Sequence, residues 1–288
     1  MSRFCFVEDH RDTYEVKRLC QLVEVSRSGY YRWAGAAPSA RAVADAGLLE
    51  EIRRIHTDSR CTYGAPRIHG QLRRRGRRVG CKRVARLMRA EGLMGVHKRR
   101  WRRRRPDIAP APDRLNRDFT AQRPNQRWVA DITEFPTSEG KLHLAGVRDL
   151  CHRGLVGWSM GAHPDAELVV DALVMALGRA EPDADGLVHH SDKGGAYVSG
   201  DFCSAADVAG LQVSFGSTGD CWDNAAMETF WSTLKREIAW VRGSIWFETR
   251  HDARLYLFEF IEVFYNRERH QAGLGHRTPA EFAATFNP

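Results

Sequence analysis

Three carboxylates stand in surroundings that single them out. Asp131 lies within Trp128-Val129-Ala130-Asp131-Ile132-Thr133, a short apolar and β-branched run. Asp192 closes His189-His190-Ser191-Asp192, just ahead of Lys193-Gly194-Gly195. Glu228 follows Asp223-Asn224-Ala225-Ala226-Met227, in the first turns of an expected helix. Between the first two lie 60 residues, and between the second and third 35. Carboxylates drawn from two strand ends and a helix form an all-oxygen donor set, the preference of magnesium and manganese. Two such ions about 3.5–4 Å apart clamp the attacking and leaving oxygens of an in-line phosphoryl displacement. Lys235, seven residues past Glu228, falls two turns along the same helix face, within reach of a phosphate bound there.

The chain has 36 acidic residues, so three alone mean little. Glu134, Asp149, Asp220 and Asp223 are local competitors. Asp131 is favoured by strand alternation, which puts Val129, Asp131 and Thr133 on one face and Trp128, Ala130 and Ile132 on the other. A carboxylate in mid-strand is disfavoured unless it has a task. Asp192 sits where a buried strand ends in glycines. Asp223 or Asn224 reads as a helix N-cap, leaving Glu228 one turn in, where the helix's positive end favours an anion. Carboxylates crowded together raise one another's pKa. His190 fits two roles equally, positioning a phosphate or water and hydrogen bonding in the interior.

The elements that position these groups follow from pattern. Strands are expected at Trp128–Phe135, Leu142–Asp149 and Leu155–Met160, with the first turn at Ser138-Glu139-Gly140. A helix over Asp165–Leu177, a buried strand at Gly186–His190, a helix over Asp201–Ala209 and a strand at Gln212–Phe215 come next. Two helices, Asp223 to about Trp240 and His251 to about Asn266, complete the pattern. The result is an α/β domain with a mixed five-stranded sheet and flanking helices, in the order of a ribonuclease H-like fold.

The preceding half is helical and basic. Residues 12–33 form two short helices joined by a turn, with Tyr14, Val16, Leu19, Cys20 and Val23 as the inner stripe and Ser26 capping the second. A helix-turn-helix and a plain helical hairpin both fit. Ala34 to Ala46 reads as a linker, and Asp45–His56 as a helix. Pro66–Gly76 and Lys82–Gly92 are helices ending at glycine. In the second, Lys82, Arg83, Arg86 and Arg89 point outward and can contact phosphates or base edges. Lys98, Arg99, Arg100, Arg102 and Arg103, with Arg104 and Arg105, surround Trp101. Such a run neutralises phosphates or acts as a basic tether. Pro106, Pro110 and Pro112 mark a boundary. The expected domains are 1–44, helix-turn-helix-like; 45–105, a basic helical module; 106–122, a linker; and 123–288, catalytic.

Charge divides the same way. Residues 60–105 carry 18 Lys/Arg against one acid, Glu91, a charge of +17 within a net of +8, which leaves −9 for the remainder. That asymmetry reads as a nucleic-acid grip joined to a metal-loaded body. The seven cysteines contain no Cys-x-x-Cys pair, which argues against a zinc module or a disulfide framework and for a reducing cytoplasm. No apolar run approaches membrane-spanning length.

Asp131-Ile132-Thr133, His190-Ser191-Asp192-Lys193-Gly194, Asp223-Asn224-Ala225 and Glu228 with Lys235 resemble the catalytic core of bacterial insertion-sequence transposases. They are similar above all to the second-reading-frame (OrfB) subunit with its retroviral-integrase-like DDE core. Val25-Ser26-Arg27-Ser28-Gly29-Tyr30-Tyr31 and Tyr265-Asn266-Arg267-Glu268-Arg269-His270 are similar too, so the resemblance spans nearly the whole chain. Tyr63-Gly64-Ala65-Pro66-Arg67-Ile68 departs from it, with Ala-Pro where the family usually has an aromatic and a basic residue. The resemblance implies DNA cleavage and strand transfer with two Mg2+ or Mn2+ ions on Asp131, Asp192 and Glu228. It also implies element ends and target DNA as partners, a homo-oligomer on DNA, an upstream-frame partner protein, and a bacterial, nucleoid-associated cytoplasmic location. The rival readings are a metal-dependent nuclease that does not join, and an inert DNA-binding repressor.

Overall fold

The computed structural model describes residues 3–96, 121–180, 186–216 and 224–286. They form two compact units, Met1–Glu51 and Ile52–Pro288. The first contains α1 (Arg3–His10), α2 (Val16–Leu22) and α3 (Arg27–Ala34) around Val7, Leu19, Cys20 and Tyr30. Ser26 caps α3 as expected, its hydroxyl accepting from the Gly29 N–H at 3.0 Å. Two expectations fail here. Helix α1 lies ahead of the expected pair and supplies Val7 to the core, while Tyr14 is 55% exposed instead of belonging to it. The tract expected as a linker is helical from Ala40, because α4 runs Ala40–Asp58. Its alanines are strong helix formers, and the Ser39 hydroxyl accepts from the Ala42 N–H at 3.1 Å.

The second unit is built on one sheet. β1 (Arg127–Thr137) pairs antiparallel with β2 (Gly140–Asp149), and β2 with β3 (Leu155–Gly161). On its other side β1 runs parallel to β4 (Val188–Ser191), which runs parallel to β5 (Gln212–Phe215). The order β3-β2-β1-β4-β5 is that of a ribonuclease H-like sheet. Alternation along β1 separates two cores. Trp128 and Ala130 pack with α7 (Ala166–Ala180) and α8 (Gly200–Val208). Val129 and Phe135 pack on the opposite face with α9 (Ala225–Arg242) and α10 (Arg250–Glu259). Asp131 shares the parity of Val129 and so faces α9.

The helix expected over His251–Asn266 changes character at Phe260, where α10 passes into a π-helix over Phe260–Glu268. The wider turn brings Tyr265 and Asn266 to the outer strand β3. Asn266 receives the Leu155 N–H on Oδ1 and donates from Nδ2 to the Leu155 carbonyl, both at 3.0 Å. The Tyr265 hydroxyl donates to the Arg153 carbonyl.

Helices α5 (Ala65–Arg74) and α6 (Cys81–Ala90) belong to the same unit as the sheet. Pro66 sits in the first turn of α5, where its missing N–H costs nothing. A buried ion pair joins α9 to the segment after the π-helix: Glu237 accepts two hydrogen bonds from Arg269, at 2.8 and 2.7 Å, and Arg67 of α5 approaches it to 3.5 Å. The Trp240 indole donates to the Cys61 carbonyl, and Arg74 pairs with Glu281.

Candidate active site

Asp131 lies in mid-β1, half-buried, opposite Gly146 of β2. Its Oδ1 accepts from the Ile132 N–H at 2.9 Å and its Oδ2 from the Trp231 indole N–H at 3.0 Å. Burial pushes its carboxyl up to about 6. The charges of Asp192 and Glu228 act in the same direction, and the two hydrogen bonds oppose them. Asp192 is exposed, one residue past the end of β4, where its Oδ1 accepts from the Gly194 N–H at 3.1 Å. Glu228 is exposed in the first turn of α9. Asp131 thus feels the charges of both other expected carboxylates, Asp192 and Glu228. Among the described residues, no three His, Cys, Asp or Glu side chains are gathered into a ready-made ion cage. Three carboxylates nevertheless form an all-oxygen donor set of the kind hard cations take.

Lys235 is half-buried on α9. Its ammonium lies 5.5 Å from the centre of the Phe135 ring. Burial lowers its pKa, with Glu134 and Asp131 pulling the other way, so the lysine stands on the Asp131 side of the helix. Tyr197 is buried nearby; desolvation, then the charges of Asp131 and Asp192, push its phenol well above the ordinary value. His190 takes the interior role, its Nδ1 3.1 Å from the Ser214 hydroxyl. Its neighbour His189 packs against Tyr197 and Phe202, and burial drives its imidazole down to about 4.

The competing carboxylates have other duties. Asp149 is fully buried and accepts from the N–H groups of Asn125, Cys151 and His152, tying down the turn between β2 and β3. Glu134 is exposed, and its hydrogen bond from Lys141 holds its carboxyl below the usual range. Asp220 and Asp223 lie outside the described residues. Asn224 stands at the N-cap position of α9 as expected, but its side chain makes no cap bond and instead donates to the Ala130 carbonyl at 2.9 Å. That bond and the Trp231 bond escaped sequence reading. The one available signal was the placement of Trp231 three residues past Glu228, which puts both on one helix face.

On α6, Val84, Leu87 and Met88 are buried, Lys82, Arg86 and Arg89 are exposed and Arg83 is half-buried, as the stripe requires. Lys98, Arg99, Arg100, Arg102 and Arg103 fall outside the described residues.

Residues 121–221 and 209–279 match models described as "Integrase core domain", and residues 43–101 match an "HTH-like domain". The "Insertion element IS600 uncharacterized 31 kDa protein" of Shigella sonnei is 40% identical, over 93% of this chain and 98% of that one. "Transposase InsF for insertion sequence IS3A" of Escherichia coli (strain K12) is 35% identical, over 97% and 98%. The chain belongs to the insertion-sequence transposases. The chain is an OrfB-type transposase, a DDE polynucleotidyl transferase with an integrase-type core and an HTH-like DNA-binding region. Among solved structures, the HTLV-2 integrase catalytic core domain in complex with magnesium aligns at TM-score 0.43 and 14% identity, over 57% of this transposase and 99% of that chain. Among the described residues no helix is long and apolar enough to cross a membrane.

Proposed function

We propose that this transposase cuts element ends and joins them to target DNA at one site formed by Asp131, Asp192 and Glu228. The observation that carries the reading is that Asp131 in β1 feels the charges of Asp192 at the end of β4 and Glu228 on α9, two carboxylates far from it in sequence. They would hold two Mg2+ or Mn2+ ions, which when bound activate water and stabilise charge on the scissile phosphate. Asp131 contributes a carboxylate fixed in a strand, while Asp192 and Glu228 contribute exposed carboxylates at a strand end and a helix start, where a DNA backbone can approach. Lys235, placed on the Asp131 side of α9, binds a phosphate and keeps the strand aligned. No serine or tyrosine nucleophile is needed, because the attacking groups are water and then a 3′ hydroxyl. The exposed cations Lys82, Arg86 and Arg89, with Arg83 beside them, hold duplex DNA through its phosphates. The basic run Lys98, Arg99, Arg100, Arg102 and Arg103 adds to that grip. Two or more copies act together on paired ends, with an upstream-frame protein as a further partner, in the bacterial cytoplasm at the nucleoid.

The test uses a labelled element end after chelation, with one ion restored at a time. Magnesium and manganese should support cleavage and joining. Calcium should support binding alone, because its oxygen distances of about 2.3–2.6 Å, against 2.0–2.1 Å for magnesium, disturb in-line alignment. Full joining without metal would remove the mechanism. Cleavage of a pre-cut end's target with no joined product would leave a nuclease in its place.

A further inference from the structure

Trp231 of α9 and Asn224, at its N-cap, grip consecutive residues of β1. Asn224 donates to the Ala130 carbonyl, and Trp231 donates its indole N–H to the Asp131 carboxylate. Glu228 lies between them on the same helix. The indole reaches Asp131 because its cross-strand partner is Gly146. A Cβ there would meet Trp231 Cη2 at 2.8 Å and Cζ2 at 3.2 Å, so only glycine lets the ring lie across β2 beside the carboxylate. Trp231 is 5% exposed, and its N–H has exchanged water for a carboxylate oxygen. With Ile132 N–H on the other oxygen, both Asp131 oxygens are held in one rotamer.

We propose that Trp231 is a positioning residue of the cleavage and joining site. Its N–H fixes the Asp131 carboxylate so that the remaining lone pairs face a divalent cation, and Gly146 makes the seat for its ring. The inference rests on the reading of Asp131 as a metal ligand. Partners of this kind that orient a ligand change metal affinity by about 10–100-fold when removed.

The experiment compares Trp231→Phe with Trp231→His in the full chain. Both replace the fused indole by a single ring and so lose packing volume, His more than Phe, which sets packing loss against the Phe result rather than in its favour. Superposing the five-membered rings puts histidine Nε2 where tryptophan Nε1 lies, so histidine alone keeps a donor. Mn2+ binding is read by calorimetry, and thermal unfolding and DNA binding are followed in parallel. Phe should weaken Mn2+ binding about tenfold, His by no more than about threefold, with DNA binding unchanged in both. Gly146→Ala, which keeps Trp231 but displaces its ring, should reproduce the Phe result and serves if Trp231→Phe folds poorly. Equal weakening by Phe and His would assign the effect to lost volume and overturn the proposal, as would wild-type affinity in Phe or in Gly146→Ala. Asp131→Asn run alongside separates the two levels. If it binds Mn2+ like the wild type, Asp131 is no ligand and both readings fall. If it is impaired while Phe is not, only the role of Trp231 falls.

Discussion

At the scale of single residues, Asp131 carries a conflict between fold and chemistry. Its carboxyl is raised to about 6, from an ordinary value of 3.8, chiefly by burial. A carboxyl raised on folding contributes stability that is fully present below about pH 4 and lost as pH rises through 6, so at neutral pH the charged site costs on the order of 2–3 kcal/mol. Asp131→Asn should therefore raise the melting temperature at pH 8, with the gain shrinking to nothing below pH 4; a gain that persists in acid would assign it to something other than charge. The same raised carboxyl makes protons compete with cations, so half-maximal activity should need more Mg2+ as pH falls below about 6. Asp131→Asn, Asp192→Asn and Glu228→Gln should each abolish cleavage and joining while DNA binding persists, checked on labelled ends and by gel shift. The place of Asp131 on the α9-facing side of β1 was legible because alternation put a carboxylate among apolar neighbours. Trp231 was not, because an indole's N–H direction depends on the rotamer and on which residue stands opposite. By residue type alone, Gly146 looks like any other glycine in a strand.

At the scale of elements, α9 is held at both ends of its working length. Asn224 and Trp231 fasten its start to β1, and Glu237 fastens its later turns to Arg269 and Arg67. Both members of the Glu237–Arg269 pair are buried, and although burial alone would raise the Glu237 carboxyl, Arg269 outweighs it and holds the group below its usual range. Removing one member of such a pair leaves a buried charge and costs about 3–5 kcal/mol. Glu237→Gln should lower stability by about that much in urea unfolding, and Glu237→Gln with Arg269→Met should recover part of the loss. A single-variant loss near zero would show that solvent reaches the pair. The strands and the helices on the sheet were readable because a period of 2 and a period of 3.6 leave clear marks in apolar residues. The passage of α10 into a π-helix was not, since nothing in Phe260–Glu268 distinguishes one hydrogen-bond step from the next. The alanine-rich start of α4 passed for a linker because small residues give no stripe, although they favour helix.

For the whole molecule, the division into +17 over residues 60–105 and −9 elsewhere is electrostatic; packing follows other lines. Residues 52–96 share a folded unit with the sheet, so the DNA grip proposed for α6 would belong to the body that carries the carboxylates. Full-chain binding to duplex DNA should fall on the order of a thousandfold between 50 and 200 mM salt, given six or so neutralised phosphates. Replacing Lys82, Arg86 and Arg89 by alanine should flatten the salt slope by roughly one for each phosphate left without its cation; an unchanged slope would move the DNA elsewhere. The sheet itself raises a different matter, that of keeping copies apart when no DNA is present. β3 is an outer strand, and outer strands offer backbone groups on which another chain can template. At Leu155 both groups are already taken by Asn266, whose amide imitates the peptide of a neighbouring strand. With both groups of Leu155 occupied, that stretch of the edge has no free backbone pair on which another chain could template. Asn266 is therefore a place where a mutation could turn a soluble preparation cloudy on warming while leaving the reaction of the surviving molecules intact.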